Sequence, residues 1–119
     1  MKSQIVQWLK DYSKSSGINT FVIGISGGID SALTSTLCAE TGLDVIIVSM
    51  PIHQHPLQLA RAHKHMNWLA CKYTNVQYME KDLTDVFDEF KSTLIELKPD
   101  ELAFANARAR LRMTSLYYI

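Results

Sequence analysis

The stretch TFVIGISGGIDSAL, residues 20–33, runs from an apolar segment through three glycines and two serines into a helical pattern. Residues 20–25 are rich in β-branched side chains, which is typical of a strand buried inside a parallel sheet. Residues 30–41 are predicted as a helix that a glycine ends. Gly27 and Gly28 permit a close approach to a ligand, and the start of the helix offers unpaired N–H groups and the positive end of its dipole. The segment therefore predicts a phosphate-binding turn between a strand and a helix.

Strands and helices alternate along the rest of the chain. The predicted elements are a helix at 2–15, strands at 20–25, 44–50 and 75–80, helices at 30–41 and 56–71, a helix capped by Asp82, and a final helix at about 99–119 that starts near Pro99. The order αβαβαβαα favours an α/β fold, a three-layer Rossmann-like parallel sheet with helices on both faces. We expect a single nucleotide-binding domain over residues 1–119. Ligands of such sheets bind beyond the carboxyl ends of the strands, where residues 24–31 lie.

The composition is that of a globular domain without a charge bias. Twelve basic and twelve acidic residues give a net charge of zero, so the sequence predicts no nucleic-acid partner. No apolar run approaches the length of about 20 residues that a membrane-spanning helix needs, so we expect no membrane partner. Cys38 and Cys71 have no metal-binding spacing and are predicted as buried or half-buried residues of a cytoplasmic protein.

Asp30 is an acid in a segment that otherwise suits phosphate. Its charge would repel phosphate unless Mg²⁺ lies between them, and Mg²⁺ commonly takes one or two carboxylates together with phosphate oxygens. The segment lacks the lysine of the GxxxxGK[ST] loop and does not match GxGxxG, so it belongs to neither of those nucleotide-binding classes. The structural alternative is an ordinary glycine turn in which Asp30 caps the helix.

The four histidines give no clear metal site. His63 and His65 are two residues apart on a predicted helix and point in different directions. His53 and His55 could chelate a metal, but no acid or cysteine lies near them in the sequence. We therefore expect His53 and His55 in a loop that is solvated or lies beside a nucleotide.

Three motifs carry a resemblance to a known family. SGGIDS, residues 26–31, resembles the signature of the PP-loop ATP pyrophosphatases, which have the adenine nucleotide alpha hydrolase-like fold. VSMPIHQ at 48–54 and NARARLRM at 106–113 are similar to motifs of the ammonia-dependent NAD synthetases of that superfamily. The resemblance implies an ATP- and Mg²⁺-dependent amidation of deamido-NAD by ammonia. An adenylated intermediate and pyrophosphate form first, and ammonia then displaces AMP to give NAD.

The resemblance also implies roles for individual residues. Asp30 would hold Mg²⁺, Asn106 and Arg110 would contact deamido-NAD, and Arg108 and Arg112 are further candidates for that contact. By helical spacing Asn106 and Arg110 share one face, whereas Arg108 and Arg112 share a nearly opposite one. Either one pair is solvated, or the helix lies between a ligand and another surface, as in a homodimer with the dinucleotide near its interface. The residues implied to bind ATP are Gly24, Ile25, Ser26, Gly27, Gly28, Ile29, Asp30, Ser31 and Gln54.

The resemblance also predicts how much of the family's fold this chain contains. The resemblance implies a further strand, a Thr that contacts ATP, a second Mg²⁺ ligand and a mobile loop with a Lys, all beyond the arginine-rich helix. We therefore expect a truncated domain with poor activity on its own.

The alternatives to this function are an ATP-binding module without catalysis, another PP-loop enzyme such as a tRNA-modifying or GMP-synthetase-like one, and a flavodoxin-like domain with a glycine turn.

Overall fold

A computed structural model describes residues 1–98 and 100–119, so the predicted helix start at Pro99 lies outside the described residues. All three predicted strands are present, with bounds within one residue of those expected. The elements in chain order are α1 (Lys2–Ser16), β1 (Thr20–Ile25), α2 (Ile29–Ala39), β2 (Asp44–Ser49), α3 (Pro56–Lys72), β3 (Val76–Glu80), α4 (Thr84–Thr93), a 3₁₀ turn (Ile95–Leu97) and α5 (Glu101–Tyr118).

The three strands form one parallel sheet in the order β1-β2-β3, which confirms the predicted α/β fold. Ile25 pairs with Ser49, and Ser49 pairs with Glu80, so the carboxyl ends of all three strands lie at the same edge. The turn after β1 and the loop after β2 are therefore neighbours. This register brings the SGGIDS and PIHQ segments together although 19 residues of chain, 32–50, separate them.

The principal core lies between the sheet and helices α2 and α3. Alternate strand residues face this side, including Ile25, Val45 and Ile47, and they meet Cys38 of α2 and Leu69 of α3. Ile47 and Leu69 have no exposed surface. Burying a side chain of this size contributes about 1.5–3 kcal/mol, so this layer fixes the position of the sheet beneath the two helices.

The opposite face of the sheet is covered at its β1 side by α5. A Cβ atom added to Gly24 would lie 3.1 Å from Met50 Cε and 3.6 Å from Leu116 Cδ1 of α5. Leu116 thus lies at ordinary van der Waals distance from this position, and α5 packs on β1 here. Helix α4 packs beside α5 through the rings of Phe87 and Phe104, whose centroids are 6.5 Å apart. Helices thus lie on both faces of the sheet, as predicted.

The structure corrects two local predictions, the helix cap at Asp82 and the burial of Cys71. Gly17 ends α1 in the left-handed region at φ 73°. The prediction that Asp82 caps the next helix is wrong, because Leu83 is the cap residue of α4. Asp82 Oδ1 instead accepts a hydrogen bond of 2.9 Å from the backbone N–H of Thr84, which forms a local turn just before the helix. Cys38 is buried as expected, but Cys71 is exposed.

Candidate functional site

The turn between β1 and α2 is shaped by Gly27. Its φ of 90° is in the left-handed region, and a Cβ atom there would lie 2.5 Å from the backbone oxygen of Gln58. Gly28 caps α2 with an ordinary extended backbone, φ −90°, and a Cβ atom there would meet only Ser26 Oγ at 3.4 Å. The fold itself therefore requires glycine at Gly27, whereas it places only a weak constraint on Gly28.

The two hydroxyls of the turn hold it in shape. Ser26 N–H donates to Ser31 Oγ at 3.2 Å, Gly28 N–H donates to Ser26 Oγ at 3.2 Å, and Ser31 Oγ donates to the Gly28 carbonyl at 3.3 Å. The first backbone bond of α2 runs from Ala32 N to Gly28 O. The N–H groups of the three residues that open the helix, Ile29 to Ser31, thus have no acceptor within it and are available to an anion.

Asp30 lies in the exposed first turn of α2. The cap of α2 is Gly28, and no side chain makes a capping hydrogen bond, so the alternative of Asp30 as the helix cap is wrong. Within residues 1–98 and 100–119, no group of three or more His, Cys, Asp or Glu side chains could hold a metal ion. A single free carboxylate beside unpaired N–H groups suits a Mg²⁺ ion that is shared with the oxygens of a bound phosphate.

A cleft of about 770 Å³ opens at the carboxyl edge of the sheet, next to this turn. The start of the turn, the loop after β2 and one side of α5 line it. Residues Gly27 to Ser31 are not part of its lining. The predicted site residues on its wall are Gly24, Ile25, Ser26, Gln54, Arg108 and Arg112.

Gln54 and Arg112 are in direct contact inside the cleft. Arg112 Nη2 donates to Gln54 Oε1 at 3.3 Å, and Arg112 Nε donates to the backbone oxygen of Met50 at 2.9 Å. Burial and, after it, the nearby charge of Arg108 lower the pKa of the Arg112 guanidinium. The group nevertheless stays charged near neutral pH, because arginine starts from a very high value. One wall of the cleft is therefore cationic.

Asn106 and Arg110 lie elsewhere. Both are exposed, and neither lines the cleft. Arg108 and Arg112 are half-buried on the cleft side, so the two pairs do occupy different faces of α5, as their spacing indicated. The structure thus brings Arg108 and Arg112 close to the predicted ATP residues, and it leaves Asn106 and Arg110 on an outer surface.

His53 and His55 lie on the loop after β2, as expected, and line the cleft, but their contacts were not predicted. His53 has a φ of 49°, its backbone N–H donates to Thr84 Oγ1 at 3.1 Å, and its Nε2 lies 2.6 Å from Asp88 Oδ1. These contacts attach the loop after β2 to α4. His55 Nδ1 accepts from Leu57 N at 3.1 Å and so caps α3. Thr84 and Asp88 lie 31 and 35 residues after His53 in the sequence, so no local pattern could have predicted these contacts.

No helix among the described residues is both long enough and apolar enough to cross a bilayer.

Several known proteins with similar sequences carry the name NH(3)-dependent NAD(+) synthetase. The NH(3)-dependent NAD(+) synthetase of Carboxydothermus hydrogenoformans is 32% identical over 122 residues, which covers 97% of this chain and 47% of that protein. The enzyme of the same name from Finegoldia magna is also 32% identical, over 96% of this chain and 45% of its own length. The chain therefore spans about half the length of these curated relatives.

Two solved structures extend the likeness to the fold. The NMN synthetase of Francisella tularensis superposes with a TM-score of 0.87 at 28% identity, over 98% of this chain and 47% of that one. The NH3-dependent NAD synthetase of Campylobacter jejuni, solved with a nitrate ion, superposes with a TM-score of 0.81 at 28% identity, over 98% of this chain and 48% of that one. The family model for NAD synthase matches residues 1–119, and the chain belongs to the NAD synthase family.

Proposed function

We propose that this chain provides the ATP-binding half of an ammonia-dependent NAD synthetase. The observation that carries the proposal is the turn between β1 and α2. It presents the free N–H groups at the start of α2 and the carboxylate of Asp30 beside a cleft with a cationic wall. This combination suits the phosphates of ATP with a Mg²⁺ ion better than it suits a purely structural turn.

The described residues support a division of roles within the ATP site. The N–H groups that open α2 would bind the phosphates, and Asp30 would hold Mg²⁺ against them. The metal, when bound, supplies the charge neutralisation that lets a carboxylate attack phosphorus. Gln54 would lie near the adenine or the ribose, and Gly24 to Ser26 would form the adjoining wall. Neither a nucleophilic side chain nor a covalent link to the protein is needed for this chemistry.

We propose that deamido-NAD contacts α5 on its outer face, at Asn106 and Arg110. That face also carries Leu102 and Tyr117, which are 70% and 84% exposed and follow the same helical spacing. Exposed apolar side chains of this size around two polar ones are typical of a surface that another subunit covers. A homodimer with the dinucleotide between the two α5 helices would account for both features.

The likeness to an NMN synthetase makes the mononucleotide a second candidate substrate. Both substrates would present the same nicotinate carboxylate to ATP, so the ATP site described above would serve either one. They differ in whether an adenylyl half must also be bound. For the second candidate, the outer face of α5 would have a smaller role in substrate binding.

The ATP site is tested by calorimetric titration of the 119-residue chain with ATP, with and without Mg²⁺. We expect saturable binding that Mg²⁺ strengthens. No binding of ATP in either condition would contradict the proposal and would favour a domain with an ordinary glycine turn.

Turnover is tested separately by AMP release in the presence of ATP, Mg²⁺, ammonium and either deamido-NAD or deamido-NMN. The relatives are about twice as long, so we expect ATP binding by this chain with little or no AMP release. Brisk turnover by the chain alone would show that it carries the complete activity. The preferred acid would then identify the substrate. A cytoplasmic location, which access to ATP would require, is also part of the proposal.

A further inference from the structure

Arg112 joins helix α5 to the carboxyl edge of the sheet. Its Nε donates to the carbonyl of Met50, the residue directly after β2, at 2.9 Å, and its Nη2 donates to Gln54 Oε1 at 3.3 Å. The other side-chain hydrogen bonds of α5 in the described ranges, from Ser115 to Leu111 and from Ala103 N–H to the cap residue Asp100, stay within the helix and its cap. Arg112 is therefore the polar link between α5 and the nucleotide-side loops.

The orientation of the Gln54 amide follows from its two neighbours. A guanidinium group can only donate, so the oxygen of the amide must face Arg112. A backbone carbonyl can only accept, so the nitrogen must face Ser26 O, which lies 3.5 Å from Gln54 Nε2. The two requirements agree with each other. Without Arg112, the amide would lose the stronger of the two contacts that keep it from rotating by half a turn.

We propose that Arg112 is a positioning residue of the ATP site, which holds the Gln54 amide in its binding orientation and does not itself contact either substrate. This role rests on the proposed function, because it needs Gln54 to contact the nucleotide. It differs from the substrate contact that the NARARLRM motif suggested for Arg112. Its forked guanidinium suits the role, since it reaches the Met50 and Gln54 oxygens at once.

The placement of Arg112 also connects the two predicted substrate surfaces. Asn106 and Arg110 lie on the outer face of the same helix. A change at Arg112 that lets α5 shift would therefore act on both surfaces, whereas a change at Gln54 would act on the ATP side alone. An effect confined to ATP binding would therefore indicate that Arg112 acts through Gln54. An effect on both surfaces would indicate a general loosening of the helix.

A double-mutant cycle on ATP–Mg²⁺ affinity tests the proposal, with Arg112→Met, Gln54→Met and the double variant. We expect each single change to weaken ATP binding by about three- to tenfold, as the loss of one hydrogen bond does. In the Gln54→Met background, Arg112→Met should cause no further loss, because the amide that it positions is gone. Arg61→Met, an identical substitution at an exposed position of α3, serves as the control and should leave the affinity unchanged. Additive losses in the double variant would overturn the proposal.

A second readout does not depend on ATP. The side-chain amide signals of Gln54 in ¹⁵N NMR spectra, assigned by their loss in Gln54→Met, should shift in Arg112→Met and stay in place in Arg61→Met. Unmoved signals would overturn the proposal even if the chain failed to bind ATP, a failure that by itself contradicts only the proposed function. If Arg112→Met does not fold, as judged by circular dichroism, Arg112→Lys replaces it. That variant keeps the stem and the charge but cannot reach both oxygens.

Discussion

His65 Nε2 lies 2.8 Å from the hydroxyl oxygen of Ser35, and the two side chains join α3 to α2 within the core layer. Ser35 has no exposed surface, and its hydroxyl donates to the Ala32 carbonyl at 3.0 Å. The oxygen of Ser35 is then left to accept, so His65 must carry its proton on Nε2. Burial of the ring favours its neutral form over the charged one.

The burial of His65 predicts that the protein loses stability as the pH falls. Burial lowers the pKa of His65, so the unfolded chain takes up a proton at a higher pH than the folded one. The stabilisation is complete above the unfolded pKa of about 6.5 and is lost as the pH falls through the lower folded pKa. The melting temperature of His65→Gln should thus depend less on pH between about pH 5 and pH 7.

The control for this experiment is His63→Gln. The imidazole of His63 lies at the surface, 3.0 Å from Glu80, and does not enter the core. This variant should keep the pH dependence that His65 causes. Equal pH dependence of the wild-type protein and His65→Gln would show that His65 does not contribute to it.

The adjacent glycines of the turn should respond differently to substitution. Gly27→Ala places a Cβ atom 2.5 Å from the Gln58 backbone oxygen at a φ of 90°, so we expect a loss of about 1–3 kcal/mol in the free energy of unfolding. Gly28→Ala has ordinary backbone angles, and because alanine is a poorer helix cap than glycine it should cost up to about 1 kcal/mol of that free energy. If the turn binds phosphate, Gly28→Ala should instead weaken ATP binding. Urea denaturation and calorimetry measure the two effects, and a reversed order of stabilities would refute the assigned turn geometry.

Phe87 is expected to be the main anchor of α4. Its ring is 2% exposed and meets Phe104 of α5, so Phe87→Ala should cost about 3–5 kcal/mol of unfolding free energy. Phe90 lies one turn later in the same helix and is 51% exposed, so Phe90→Ala should cost less than about 1 kcal/mol. Urea denaturation of the two variants measures the difference. Similar losses would mean that α4 is not held through Phe87.

The elements that the sequence predicted well have strong local signals. The β-branched run of β1 gave a strand with the predicted bounds, because a fully apolar segment of that length between polar ends has few other stable forms. The start of α4 was wrong by one residue. Asp82 has the chemistry of a helix cap, but its oxygen serves a turn that precedes the helix.

Only the part of the candidate site that lies in one continuous stretch of sequence could be predicted. The motif at 24–31 is contiguous and contains its own glycine and hydroxyl chemistry, so its turn could be inferred locally. Helical spacing separated Arg108 and Arg112 from Asn106 and Arg110, but it could not tell which pair faces the cleft. That depends on how α5 packs on β1 near Gly24, which is a contact across more than 80 residues of chain. The pair of His53 with Asp88 was out of reach for the same reason.

Binding of Mg²⁺–ATP by the turn through Asp30 is measured by comparing ATP titrations of the wild-type chain and Asp30→Asn with and without Mg²⁺. Asp30 is exposed, so the variant should lose at most about 1 kcal/mol of stability, from the weaker interaction with the helix dipole. We predict that Mg²⁺ strengthens ATP binding in the wild-type chain and has no such effect in Asp30→Asn. An equal gain from Mg²⁺ in a folded Asp30→Asn variant would show that Asp30 does not hold the metal.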